Sequence, residues 1–401
     1  MNYLFSALLR TAFIAIIVLF SFNLCGQTIQ RIDGSKISVA ALTKRVEALA
    51  DTAKVAGLSI TVFNDNRVVY SKQLGYANKP EQKLLTAGTT VYGASFSKAV
   101  FAYIVMQLVG EKIIDLDKPL VQYLPKSLME YNFPGKLKDY RDLQGDERYK
   151  KITARMCLDH TTGFPNFRWF EPDGKLRIKF EPGSRVSYSG EGMYLLQLVI
   201  QEITGKDFEK MAQERVFIPL GMTNTSYVWQ PRFEEHLALG HDSSGQTLGF
   251  PRRTAASAAG SMITTPEDYN KFYEALLQQK GLQSARWKEM TTSQIRIRSI
   301  QQFGPLSWKD STLNENIKLG YGLGFGVFQT PYGRGFFKEG HDNGWGHYSI
   351  AFPDKKIAIV IMTNSDNGES IFRDLLKDAI GDVYTPWYWE NYIPWEDKLN
   401  H

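Results

Sequence analysis

Ser95-Phe96-Ser97-Lys98 places a hydroxyl and an amine three residues apart at the start of a long apolar stretch. On a helix, residues i and i+3 share a face, so the Ser95 hydroxyl and the Lys98 amine project together. A serine hydroxyl is a weak nucleophile until a neighbouring base takes its proton. Lysine can be that base when burial or nearby cations lower its pKa, and a helix N-terminus surrounded by apolar chain supplies both influences. Tyr188, in Ser187-Tyr188-Ser189-Gly190, offers a phenol that can act as general base beside a cationic lysine and then return the proton to a leaving group. Gly340-His341-Asp342-Asn343-Gly344 sets a histidine among small residues at the end of a strand, where it lines a cleft edge. Taken singly, each has a plain structural reading: a capping serine with a solvated lysine, a packing tyrosine, a satisfied histidine.

The elements that must position these groups follow from periodicity. Val39, Leu42, Val46 and Leu49 have helical spacing, and Gly57 closes that segment. Residues 58–63 and 68–74 are β-branched-rich runs joined by Asn64-Asp65-Asn66-Arg67, which predicts a hairpin. Residues 99–109 are apolar on nearly every side, so the helix that begins beside Ser95 is buried all round. Residues 116–319 mix helical stretches (193–203, 268–278) with Gly, Pro and aromatic turns. Strands return at 322–329, 335–339, 348–352 and 357–363. The expectation is an α+β fold: one antiparallel sheet built from both termini and flanked by helices (residues 37–115 and 320–395), with a helical, loop-rich second lobe (116–319).

Read together and in order, Ser95-x-x-Lys98, Tyr188-Ser189-Gly190 and the His341 segment resemble the serine β-lactamase and penicillin-binding-protein superfamily, and within it the class C branch with its related esterases and D-amino-acid peptidases. Leu158-Asp159-His160-Thr161-Thr162-Gly163-Phe164, Pro219-Leu220-Gly221-Met222-Thr223-Asn224-Thr225 and Ala258-Ala259-Gly260-Ser261-Met262 extend the likeness over nearly all of residues 27–401, with His160 as scaffold. The resemblance implies a β-lactamase/transpeptidase-like fold and an acyl-enzyme formed on Ser95, with Lys98 as activating amine and Tyr188 as general base and acid. His341 takes the place of the lysine in Lys-Thr-Gly, and the backbone N–H groups of Ser95 and Gly344 form the oxyanion hole. Gly190 and Asn343 depart from the family pattern at positions that line the substrate. They favour a small ester or a peptide amide over a β-lactam.

Other chemistries lack support. There is no Gly-x-Ser-x-Gly elbow, Gly322-Leu323-Gly324-Phe325-Gly326 has the wrong spacing for a dinucleotide, and the histidines have no metal-ligand spacing. The expectation is therefore no cofactor and no metal. A net charge of +5 over 401 residues, without a dense basic block, excludes nucleic acid as the partner. The expected partner is a small ester, amide or peptide. An apolar run at 11–22 after Arg10 predicts a signal peptide spanning 1–26, cleaved after Gly26, with a retained membrane anchor or lipidation at Cys25 as alternatives. The enzyme is then periplasmic or secreted, and Cys157 is its one remaining thiol, a small buried residue. The reading from a different class is a catalytically silent protein that binds cell-wall peptides.

Overall fold

A computed structural model describes residues 27–131 and 139–395; the signal segment and Cys25 lie outside the described residues. Helix α1 (Val39–Thr52) is capped by the Ser38 hydroxyl, which accepts the Ala41 N–H at 3.2 Å, and it buries Leu42, Val46 and Ala50. The predicted hairpin is β1 (Gly57–Asn64) and β2 (Arg67–Asn78). Its two turn residues, Asp65 and Asn66, both adopt positive φ, the geometry whose twist matches that of paired strands.

Together with β3 (Lys83–Leu84), β4 (Ile295–Arg296), β5 (Gly320–Tyr321), β6 (Gly326–Thr330), β7 (Gly333–Asp342), β8 (Trp345–Phe352) and β9 (Ile357–Thr363), the hairpin forms a nine-stranded antiparallel sheet in the order β3-β2-β1-β9-β8-β7-β6-β5-β4. The two chain ends meet at its middle, where Leu58 faces Thr363 and Asn64 faces Ile357. Every residue of β9 is buried because the sheet is covered on both faces, so its sequence is a continuous apolar run rather than an alternating one. One face packs on α1, α5 (Phe372–Ile380) and the aromatic C-terminal segment. The other packs on α2 (Phe96–Gly110), α3 (Gly190–Thr204), α4 (Pro266–Leu277) and the loops of the middle segment.

Two details differ from the periodicity. The run expected as a strand at 322–329 is broken, because Gly322 to Phe325 make a tight turn whose Gly324 (φ 89°) lies against Ala102 of α2. A side chain at 324 would place its Cβ 2.4 Å from that of Ala102. In addition, β4 joins the sheet from within the stretch read as the helical lobe.

Candidate active site

Ser95 sits at the N-cap of α2 with no side-chain capping bond, so its hydroxyl is free of a structural duty. The turn before it is fixed from two sides. Val91 and Tyr92 pair with Ile263 and Thr264, and the Gly93 N–H donates to Met262 O at 2.8 Å. Ala94 is held at φ 44°, a left-handed conformation uncommon for a residue with a side chain. Ser97 points away from Ser95: its hydroxyl donates to Ala94 O (2.6 Å) and accepts the Met262 N–H (3.0 Å), clamping the helix start to the loop beside it.

Lys98 is 1% exposed, and its Nζ lies 2.9 Å from Ser95 Oγ and 2.5 Å from Ala259 O. Burial, reinforced by the nearby charge of Lys338, holds this amine well below the usual lysine value. A neutral amine has a lone pair and can take the serine proton. Tyr188 stands beside this Ser95–Lys98 pair, its ring centroid 4.9 Å from Lys98 Nζ. Ser189 follows it as N-cap of α3, accepting the Gly192 N–H at 3.0 Å and donating to Pro165 O at 2.9 Å, so the phenol is carried by a fixed helix start. His160, at φ 59°, packs its ring 4.3 Å from that of Tyr188, and its Nδ1 accepts the Ser189 N–H at 3.1 Å. Burial, with the nearby charge of Lys338, pushes His160 well below the usual histidine value, so it is neutral scaffold.

The third element differs from the expectation. His341 does not approach Tyr188: its side chain is 61% exposed and its Nδ1 lies 2.7 Å from Glu369 Oε1. The group beside the phenol is Lys338, wholly buried, with Nζ 3.0 Å from Tyr188 Oη and 2.9 Å from Glu339 Oε1. Burial lowers the Lys338 pKa, but the carboxylate of Glu339 and the phenol outweigh it and the ammonium is raised above its usual value. Lys338-Glu339-Gly340 therefore stands where a Lys-Thr-Gly triplet was expected to begin at His341. Gly340, rather than Asn343, is the glycine two residues on. A Cβ there would lie 3.3 Å from Phe96 N and 3.4 Å from Gly93 O, so the strand runs close along the nucleophile turn. The signal was present in the sequence: in β7, Lys338 shares a face with the apolar Phe336 two residues before it, and a cation on a buried face demands partners.

The oxyanion assignment changes with the register. The Gly344 N–H is already taken by Asp366 Oδ1 at 2.6 Å, and its α-carbon packs against Gly240. Asn343 and Gly344 form the two-residue loop between Asp342 and Trp345, so Asp342 is a hydrogen-bonded pair with β8 and the alternate residue His341 turns its N–H to the opposite edge. Pairing with β6 stops at Phe337, which leaves that edge open. The Ser95 N–H takes no acceptor among the described residues. These two N–H groups, of Ser95 and His341, are the donors available for an oxyanion.

Gly190 and Asn343 are not equivalent in placement. Gly190 is buried, and a Cβ on it would sit 2.3 Å from the Phe167 ring, so Phe167 covers it and itself lies 6.0 Å from Lys98 Nζ. Asn343 is exposed at the hairpin tip, on a cleft of about 340 Å³ shared with Phe250, Pro251 and Trp345. Phe167 and Trp169 stack at 4.4 Å beside Gly190, and Phe303 packs 5.5 Å from Tyr188, so aromatic rings border the site.

Two supports of the site carry predictions. Arg168 and Glu191 form a fully buried ion pair at 2.8 Å that pins the Phe167 loop to the start of α3. Glu191→Gln leaves the guanidinium unpaired and is expected to cost about 3–5 kcal/mol in denaturant unfolding, while an apolar double replacement at 168 and 191 recovers most of it. Failure of the single variant to destabilise would contradict the pairing. The His347 Nε2 lies 2.7 Å from Tyr92 O, joining β8 to the nucleophile turn, and burial lowers its pKa to about 4 from 6.5. Unfolding then takes up a proton between those values, so this contribution is complete above about pH 6.5 and is lost as pH falls through about 4. Asp159, raised to about 7 by burial, has the opposite slope. The difference between wild type and His347→Gln isolates the histidine: that difference in unfolding free energy is expected to shrink from pH 7 to pH 4, and a constant difference would refute the assignment.

The beta-lactamase family model matches residues 42–380, and with it the whole of this site from Ser95 to Gly344. The chain belongs to the beta-lactamase family. It is a serine hydrolase of that β-lactamase-related class. It is 23% identical over 349 residues to penicillin-binding protein 4* of Bacillus subtilis (strain 168), covering 78% of this chain and 69% of that protein. With the teichoic acid D-alanine hydrolase of Staphylococcus aureus it shares 22% over 329 residues, 80% of this chain and 74% of the relative. Among solved structures it resembles EstCE1, a hydrolase with promiscuous acyltransferase activity, at a TM-score of 0.66 and 18% identity, covering 86% of this chain and 99% of that one. Among the described residues no helix is long and apolar enough to cross a membrane.

Proposed function

We propose that this family member hydrolyses an ester or amide of modest size, on the export side of a membrane, through an acyl-enzyme on Ser95. The observation that carries the reading is the 2.9 Å contact between Ser95 Oγ and Lys98 Nζ, an amine that burial holds well below the usual lysine value. Lys98 takes the Oγ proton as Oγ bonds to the carbonyl carbon, and the N–H groups of Ser95 and His341 receive the oxyanion. As the tetrahedral species collapses, the bond to the leaving group breaks and that group takes a proton relayed from Lys98 through Tyr188, whose phenol Lys338 holds in place. Water then adds to the acyl carbon, giving its proton to the same relay, and Ser95 Oγ leaves with a proton restored.

The aromatic rings bordering the site favour an apolar acyl or alcohol portion. The charge of Lys338 is already shared between Glu339 and Tyr188, so it is poorly placed to serve a substrate carboxylate. Both points favour uncharged esters over β-lactams or acidic peptides, as does the lack of a side chain at Gly190. Hydrolysis is also what the teichoic acid D-alanine hydrolase and EstCE1, a hydrolase with promiscuous acyltransferase activity, are named for. Residues 27–401 are expected to hydrolyse short-chain p-nitrophenyl esters much faster than a chromogenic cephalosporin, and to be labelled at Ser95 by a fluorophosphonate. A protein that stays unlabelled and inactive towards both would be the silent cell-wall-peptide binder instead.

A further inference from the structure

Behind Lys338, on the side away from Ser95, lies a second cluster that the reaction scheme leaves unused. Glu339 Oε1 holds Lys338 Nζ at 2.9 Å and accepts Gln302 Nε2 at 3.1 Å, but its Oε2 is buried without a partner. Glu390, 3% exposed, accepts the Tyr348 hydroxyl on Oε1 at 2.9 Å, and its Oε2 is likewise buried and unpartnered. Glu390 belongs to the C-terminal segment, beyond residue 380 where the family match ends. That segment is tied to the site by the Gln302 N–H on Trp389 O (2.7 Å) and the Phe303 N–H on Asn391 Oδ1 (3.1 Å).

Two buried carboxylates with one cation between them leave a net negative charge that a low-dielectric interior does not tolerate. We propose that Glu339 and Glu390 share one proton, so that only one of the two carboxyls is charged at a time, and that Glu339 is thereby the positioning residue that keeps Lys338 cationic against Tyr188. The proposal rests on the hydrolase reading given above. Burial and the neighbouring charge of Glu339 raise Glu390 well above the usual carboxyl value, which is consistent with Glu390 carrying that proton. The groups facing the pair are Lys338, Tyr188, Tyr348, Tyr392, Tyr321 and Asp382; Lys338 alone among them is cationic at neutral pH. Burial lowers Lys98 and raises Tyr188, and the charge of Glu339 opposes the first shift and adds to the second, so its loss lowers every titrating group of the relay.

Two variants test this on the whole chain. In Glu339→Gln, kcat for a p-nitrophenyl ester is expected to fall about tenfold or more with KM changed less than about threefold. Its pH profile is expected to move to lower pH by about one unit, and Glu339→Asp to recover part of both changes. Infrared difference spectra of wild type and Glu390→Gln are expected to show the C=O stretch of a protonated carboxyl lost in the variant, and kcat to fall less than in Glu339→Gln. A Glu339→Gln profile that superimposes on wild type, or a carboxyl band unchanged in Glu390→Gln, overturns the proposal. The infrared arm does not depend on turnover, so it separates failure of this pairing from failure of the hydrolase reading, which ester turnover, fluorophosphonate labelling and Ser95→Ala decide.

Discussion

Replacing Ser95 with alanine is expected to lower ester turnover by a factor on the order of 10⁴ to 10⁶ while leaving the fold intact. The size of the effect follows from the covalent route: without Oγ there is no acyl-enzyme, and the relay of Lys98 and Tyr188 has no nucleophile to activate. The neutrality for stability follows from the position. The Ser95 hydroxyl caps nothing, and its hydrogen-bond partner is the Lys98 amine of the relay. Removing it leaves Lys98 its bond to Ala259 O, so the buried amine is not stranded. Denaturant unfolding within about 1 kcal/mol of wild type, beside lost turnover, is the expected pair of results. Turnover retained in the alanine variant would remove Ser95 from the mechanism altogether.

The second large effect is expected at Lys338 and not at the histidine three residues on. Lys338→Met removes the cation that holds the Tyr188 phenol at 3.0 Å, and kcat is expected to fall by about 10² to 10⁴. Because the change also strands Glu339, the Lys338→Met/Glu339→Gln double variant serves as the folding control and is expected to remain as impaired. His341→Ala keeps the backbone N–H and removes only an exposed ring with its Glu369 contact, so its cost is expected to stay below tenfold. A severe loss in His341→Ala with a mild one at Lys338 would restore the histidine to the role first read from the sequence.

That comparison shows what was legible in the residues and what was not. The hairpin, the buried helix after Ser95 and the two-ended sheet follow from short-range patterns, because turn chemistry and periodicity are local. Ser95 and Lys98 share a helical turn, so their meeting is local as well. The partner of Tyr188 lies 150 residues away on another element, and choosing between Lys338 and His341 needed the register of β7 against β8. A short shift along that strand moves the whole motif, exchanging a buried lysine for an exposed histidine and moving the oxyanion donor from Gly344 to His341. The place of Glu390 was hidden for a different reason: an aromatic tail has no period, and its docking is decided by the surface it covers.

The pairing of β1 with β9 has a kinetic consequence. Leu58 and Thr363 stand opposite one another with about 300 residues of chain between them, so the middle of the sheet is its most non-local contact. Contacts so distant in sequence form slowly, since a long loop must close before any of them is rewarded. The hairpin 57–78 and the strands from 326 to 363 can each assemble early, but each presents an unpaired edge until the other arrives. The chain is therefore expected to linger in a sticky, half-built state after synthesis, and its yield to depend on whatever shields those two edges until they meet.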